Sequence, residues 1–260
     1  MDEREFVRVS VEEPHATITV DRPEKRNAMD IPTRRELRDA VDQIREVDGV
    51  RVVVLRGAGE GSFIAGGDLE SFDRMDMLDG QSYLAEHAGG LYDAVADLPM
   101  PVVAAIDGPA LGGGLEIALA CDLRLASADA VFGLPEVGLG VIPAAGGTRR
   151  LPAIVGVGRA KDLIMTGRII DAREALEMGL VTRVVEPAEF EDAVTESIEG
   201  LAAKAPLALK YAKEAIDLTH ESPQTAAIER LAGTVLWGTA DKEEGVRAFL
   251  EDREPSFEGR

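Results

Sequence analysis

Residues 101–127 read PVVAAIDGPALGGGLEIALACDLRLAS. The opening VVAAI is a short, continuous apolar run of the kind that fills a strand buried on both faces. Asp107-Gly108-Pro109 then turns the chain. The glycine triplet 112–114 follows and runs straight into Leu115, Glu116, Ile117, Ala118 and Leu119, the start of an apolar helix. Glycine has no Cβ, so its backbone N–H can approach a ligand closely. First-turn N–H groups of a helix have no intrahelical acceptor and favour developing negative charge. A buried strand that feeds a glycine-rich turn and a helix is a building unit of an α/β protein.

The same unit stands upstream. VRVVVLRG (50–57) is a second buried strand, and SFIAGGDLE (62–70) is a second glycine-rich segment behind it. Before it, Leu37, Ala40, Val41, Ile44 and Val47 mark an amphipathic helix over 32–47, ended by Asp48-Gly49. FVRVSVEE and HATITVDR read as two strands joined in a hairpin across Glu13-Pro14. Residues 81–97 read as helix. Downstream, LRLASADAVFGLPE reads as short strands and turns. AAGGTRRLPAIVG and GRAKDLIMTG read as helices, then a short helix at 172–178 and a strand in LVTRVVE. Residues 1–186 thus form an alternating α/β core. Residues 187–260 form a helical region with breaks near Pro206, Pro223 and Asp241. Trp237, Phe249 and Phe257 are its apolar anchors, able to cover the same subunit or dock on a neighbour.

Composition narrows the function. The 260 residues carry 28 Lys+Arg against 48 Asp+Glu, a net charge of −20, with 45% hydrophobic residues. The apolar fraction is that of a folded globule. Charge this negative repels phosphate and argues against a nucleic-acid partner. No apolar run approaches the ~18 residues of a membrane span. The start, MDEREF, does not read as a signal peptide. The expectation is a soluble cytoplasmic protein. Cys121 is the single cysteine, which leaves no internal disulfide or Cys cluster. Only six residues are lysine, and a carboxylate-rich, lysine-poor chain suits work in concentrated salt.

Two glycine-rich turns set side by side would make an oxyanion hole; either alone is equally a place where a turn packs on a sheet. Two glutamates are more telling. Glu116 sits among apolar neighbours, separated from the glycine triplet by Leu115 alone. Glu136 is the only charge between Asp129 and Arg149. Burial would raise both toward the range useful for proton transfer. The structural alternatives are a helix-dipole role for Glu116 and an exposed turn for Glu136. GAGEGS (57–62) lacks the third glycine of a dinucleotide fingerprint, and no Lys-Ser/Thr follows GPALGGG as a phosphate loop requires. The three histidines (15, 87, 220) have no metal spacing, and there is no GxSxG elbow.

With these residues in place, the chain resembles the enoyl-CoA hydratase/isomerase, or crotonase, superfamily. The likeness runs from DRPEKRNAMD (21–30) through the two glycine segments and FGLPEVGLGVIPAAGGTRRL to GVRAFLEDREPSFEGR. It implies a spiral of ββα units with a helical C-terminal trimerisation region, assembled as a homotrimer or dimer of trimers. It implies that Gly67 and Gly113 supply the two oxyanion-hole N–H groups for the thioester oxygen of an acyl-CoA. It implies that Glu116 is the general base on water and Glu136 the acid toward C2, in syn hydration of a trans-2-enoyl-CoA. Lys25 and Arg26 match a segment near the CoA phosphates, Ala65 a backbone contact to CoA, and Phe257 an aromatic that reaches a neighbouring subunit's CoA. No metal or cofactor is implied, since CoA belongs to the substrate. Two positions depart from the family pattern. Glu258 stands where relatives often carry lysine, and Ala144 stands where IPGAGG is common. A Δ3,Δ2-enoyl-CoA isomerase using Glu136 alone, and a non-catalytic CoA-binding relative, remain as alternatives. Phe72, Met75, Met77, Leu78, Tyr83 and Leu84 are candidates for an acyl pocket, or for core.

Overall fold

The computed structural model describes residues 4–59, 61–71 and 77–217, and beyond them 239–241, 244, 248, 251–253 and 255–260. The chain opens with strands β1 (Val7–Glu12) and β2 (His15–Val20), helix α1 (Ile31–Arg45) and strand β3 (Val52–Gly57). Helix α2 (Met77–Ser82), a π-helical turn Tyr83–Gly89 and α3 (Gly90–Ala96) lead to β4 (Val102–Ile106) and β5 (Ala110–Leu111). Then come α4 (Gly113–Ala120), β6 (Leu123–Ser127), β7 (Val131–Gly133), α5 (Gly147–Val155) and α6 (Val157–Thr166). Strand β8 (Ile170–Asp171), α7 (Ala172–Met178), β9 (Arg183–Val185), α8 (Phe190–Ala202) and α9 (Pro206–Asp217) complete the named elements.

The hairpin across Glu13-Pro14 is present, with Val7 opposite Val20 and Glu12 opposite His15. The long sheet runs β1-β2-β3-β4-β6-β9, parallel from β2 onward. A second, short ladder crosses the connections. Met29 bridges Gly67, Ile64 bridges Ala110, β5 pairs with β7, and β7 pairs with β8. Successive turns of the chain therefore lay one strand in the long sheet, one short strand or bridge in the second, and a helix outside. This repeat is a ββα spiral. The apolar periodicity predicts the long strands. It does not predict members of a ladder only two or three residues long, and β5 and β8 go unread in the sequence for that reason.

Both faces of the central strands are covered, which is why they read as near-continuous apolar runs. Val53, Leu55, Ala104 and Ile106 pack with Leu37, Val41 and Ile44 of α1, Leu91 of α3 and Leu115 of α4. Val54, Ala105 and Leu125 face the other way, onto Phe190, Ala193 and Val194 of α8. The first helix of the C-terminal region thus roofs the back of the sheet. At the start of α1, Asp30 caps the helix, accepting from the N–H of Thr33 (2.9 Å) and its hydroxyl (2.7 Å). The C-terminal tail lies against the start of β3: Arg51 donates to the Phe257 carbonyl (2.7 Å). Buried Asp241 accepts from the N–H groups of Glu258 (2.7 Å) and Gly259 (2.9 Å). Trp237 and Phe249 lie outside the described residues. Among the described residues no helix is long and apolar enough to cross a membrane.

Candidate active site

Gly67 and Gly113 meet where the short ladder crosses from the turn after β3 to the start of α4. A methyl group built on Gly113 would lie 3.8 Å from the Gly67 nitrogen. The bridge to Met29 uses the Gly66 carbonyl and the Asp68 N–H, leaving the intervening Gly67 N–H out of the ladder. On the other side Gly112 donates to the Gly133 carbonyl and Glu116 N–H returns to the Gly112 carbonyl. The Gly113 N–H, at the first helical position, has no carbonyl behind it to bond. Among the described residues, neither glycine N–H donates to a protein acceptor. The approach of the two segments depends on Gly114, where a Cβ would overlap the Ile64 carbonyl oxygen.

Glu116 is 5% exposed, and its Oε1 accepts from the N–H groups of Ala145 (2.9 Å) and Gly147 (3.0 Å). It does not cap its own helix. Burial raises its pKa above the usual carboxylate value, against the pull of those two N–H groups and of Arg34 and Arg150. Ala144 is exposed and bonds to neither carboxylate; the N–H groups that matter in IPAAGG are one and three residues further on. Glu136 stands in the 3-10 turn Pro135–Leu139, half-buried, with Oε2 buried and unpartnered. Its Oε1 faces Gly112, where a Cβ would come within 3.1 Å. Burial first, and the nearby Glu116 charge in addition, push its pKa up to about 7. Two carboxyl groups that sense one another, one near neutrality and one held by two N–H bonds, are an arrangement in which acid and base roles can be divided.

The segment of the predicted CoA contacts flanks the hole. Ala65 N–H donates to the Arg26 carbonyl (3.1 Å), one residue before Gly66. Lys25 reaches across to Glu70 (2.9 Å), which raises the lysine pKa and lowers that of the carboxylate. Arg22 pairs with Asp30 (3.3 Å) and Asp68 (3.5 Å), so Asp68 is part of the scaffold. Asp122 is too, accepting from Val102 N–H (2.7 Å) and Lys213 (2.9 Å). Arg26 is exposed and, among the described residues, has no carboxylate within ion-pair distance. The cationic patch is therefore narrower than its sequence suggests, with Arg26 its open member. Phe257 is not brought to this site. Its carbonyl meets the Arg51 side chain at the start of β3, while the site lies past Gly57 at the opposite end of that strand, whose ends are about 20 Å apart at ~3.3 Å per residue.

Several contributors escape sequence reading. Asn27 is fully buried. Its Nδ2 donates to the carbonyls of Ala58 (2.9 Å), Ser62 (2.8 Å) and Phe63 (3.1 Å), pinning the loop that delivers Ala65 and Gly67. Arg34 is 1% exposed, donates to the Tyr92 hydroxyl (2.6 Å) and lies over the ring of Tyr83 (5.1 Å). It falls on the apolar stripe of α1 with Leu37, Val41 and Ile44, and a charge in that stripe is the signal that could have found it. Of the acyl-pocket candidates, Leu78 and Leu84 are exposed and Tyr83 packs against the core. Phe72 and Met75 lie outside the described residues, and so does the side chain of Met77. Among the described residues no three His, Cys, Asp or Glu side chains gather as a metal site requires.

This ββα spiral is the crotonase fold. The sequence profile of the enoyl-CoA hydratase/isomerase family matches residues 11–260. The chain is 40% identical over 240 residues to the short-chain-enoyl-CoA hydratase of Clostridium acetobutylicum, covering 92% of each chain. It is 37% identical over 250 residues to the crotonyl-CoA hydratase of Syntrophomonas wolfei, covering 95% of each. A crystal structure of an enoyl-CoA hydratase from Bacillus anthracis superposes with a TM-score of 0.94 at 39% identity, over 98% of this chain and 100% of that one. The chain belongs to the enoyl-CoA hydratase/isomerase family.

Proposed function

We propose that the chain is an enoyl-CoA hydratase that adds water syn across a trans-2-enoyl-CoA, with Glu116 as base and Glu136 as acid. The supporting observation is the coupled glutamate pair beside two adjacent glycine N–H groups, with Glu136 held near pH 7. Oε1 of Glu116 is occupied by Ala145 and Gly147, so Oε2 takes the water proton as the water oxygen bonds to C3. The π electron pair moves toward C2 and the thioester oxygen. Gly67 and Gly113 donate to that oxygen, each bond counting most at the transition state, at ~3–4 kcal/mol. Glu136 then gives its proton to C2. The 3-hydroxyacyl-CoA leaves, and proton exchange with solvent resets the pair.

Arg26, Lys25 and Ala65 hold the CoA end. Short straight-chain enoyl thioesters are the first substrates to try, because two relatives bear short-chain and crotonyl names. Phe257, remote from its own site, serves a neighbour's CoA in a homotrimer or dimer of trimers. The protein works in the cytoplasm at high salt. Turnover of crotonyl-CoA in ¹⁸O-water tests the reaction. Incorporation of one ¹⁸O into the product, lost in both Glu116→Gln and Glu136→Gln, supports hydration. Double-bond migration of a 3-enoyl-CoA without ¹⁸O would establish an isomerase instead, and CoA binding with no turnover a non-catalytic role.

A further inference from the structure

Behind the oxyanion hole stands a buried cation that the hydration mechanism above does not use. Arg34 rises from the first turn of α1 on the core side and is 1% exposed. Its partners are aromatic. Nη1 donates to the Tyr92 hydroxyl at 2.6 Å, and the guanidinium lies 5.1 Å from the Tyr83 ring centre and 5.5 Å from that of Tyr92. Nε is buried with no acceptor, and among the described residues no carboxylate is within ion-pair distance. A methyl built on Gly113 would meet Nη2 at 3.0 Å and the Tyr92 oxygen at 2.9 Å, so the guanidinium touches the back of the glycine whose N–H faces the hole.

Such an arrangement is costly for the fold. A desolvated guanidinium with an orphaned donor is less favourable than a methionine or leucine of similar reach. Neutral phenols satisfy part of its hydrogen bonding and place ring faces against it without cancelling its charge, and the Glu116 carboxylate, which feels that charge from beyond ion-pair distance, offsets only part of it. In a dry interior the remaining charge acts over several ångströms.

We propose that Arg34 is a positioning residue of the oxyanion hole, its net positive charge held beneath Gly113 by Tyr92 and Tyr83 so that a thioester carbonyl bound by the glycine N–H groups is polarised further. The inference rests on the acyl-CoA hydratase reading and adds to it a third source of enolate stabilisation, one that never touches substrate. The charge favours the enolate-like oxygen over the neutral carbonyl, so it acts on kcat more than on KM.

Two variants and two readouts test it. Arg34→Met removes the charge and keeps the bulk; Arg34→Lys keeps the charge. Each is first checked for folding by circular dichroism. Steady-state hydration of crotonyl-CoA gives kcat and KM. The ¹³C resonance of butyryl-CoA labelled at the thioester carbon, which has no double bond to hydrate, reports carbonyl polarisation without turnover. The expected result is a downfield carbonyl in the wild type that moves back toward the free thioester in Arg34→Met. With it kcat falls about 10- to 100-fold while KM changes less than about 3-fold. Arg34→Lys retains most of the downfield displacement. A folded Arg34→Met with wild-type kcat and carbonyl shift overturns the proposal, as does a folded Arg34→Lys that loses the shift. Should Arg34→Met not fold, the lysine variant alone decides. A wild type that binds butyryl-CoA with a displaced carbonyl but hydrates nothing refutes the hydratase reading and leaves the role of Arg34 standing.

Discussion

Replacing Glu136 by glutamine should stabilise the protein while disabling it, and the size of the effect depends on pH. The carboxyl would ionise at 4.5 in the unfolded chain and does so at about 7 in the fold, because burial and then Glu116 oppose its charge. Between these values the folded protein holds a proton that the unfolded chain has released. Stability therefore falls as pH rises through this window and is level above it. At ~1.4 kcal/mol per pH unit the full loss is about 3–4 kcal/mol. Glu136 is half-buried, and solvent screening reduces this to about 2 kcal/mol. Glutamine has no charge to lose. Glu136→Gln should therefore match the wild type in urea unfolding at pH 4.5 and exceed it by about 2 kcal/mol at pH 8, compared at one protein concentration so that assembly does not intrude. The same variant should lose about 10²- to 10⁴-fold in crotonyl-CoA hydration, followed by disappearance of the enoyl thioester absorbance. An activity loss with no pH-dependent gain in stability would refute the account of Glu136 as a strained, protonated acid.

Further outcomes follow from the same geometry. Hydration kcat/KM should decline above about pH 7, as Glu136 loses the proton it must donate. Because ionised Glu116 helps hold that value up, any residual activity of Glu116→Gln should decline from a lower pH, read from the alkaline limb of its profile. Gly114→Ala drives a Cβ into the Ile64 carbonyl and should cost about 3 kcal/mol or prevent folding, seen as a lower urea midpoint. Glu70→Gln frees Lys25 for a CoA phosphate and should lower KM about 2- to 5-fold in dilute buffer, an advantage that vanishes in 1 M salt, where charges are screened within ~3 Å. The wild type should keep its activity at that salt, and an enzyme lost by 1 M would remove the high-salt expectation while leaving the hydratase proposal intact.

Local patterns in the chain carry much of this. Continuous apolar runs at 52–55 and 102–106 announce strands covered on both sides, and α8 behind and α1 in front supply the covers. The glycine segments and the two glutamates are legible because a glycine triplet, or a lone charge in an apolar run, conflicts with plain secondary structure and needs a reason. Other features rest on residues distant in sequence whose types say little alone. The second ladder joins Met29 to Gly67 and Ile64 to Ala110 through single bridges, and Ala110 to Phe132 through a two-residue pairing, all too short to leave a period. Glu116 is held by Ala145 and Gly147, and backbone N–H groups carry no side-chain signature. Lys25 reads as a free cation until folding sets Glu70 beside it. Arg34 reads as one more arginine of an acidic protein until α1 turns it inward against Tyr92 and Gly113. Hydrophobic periodicity and backbone chemistry are written locally and determine the elements and the candidate groups. Which groups meet, and so which charges are buried, cancelled or left to act, depends on contacts across tens of residues that only the closed spiral makes.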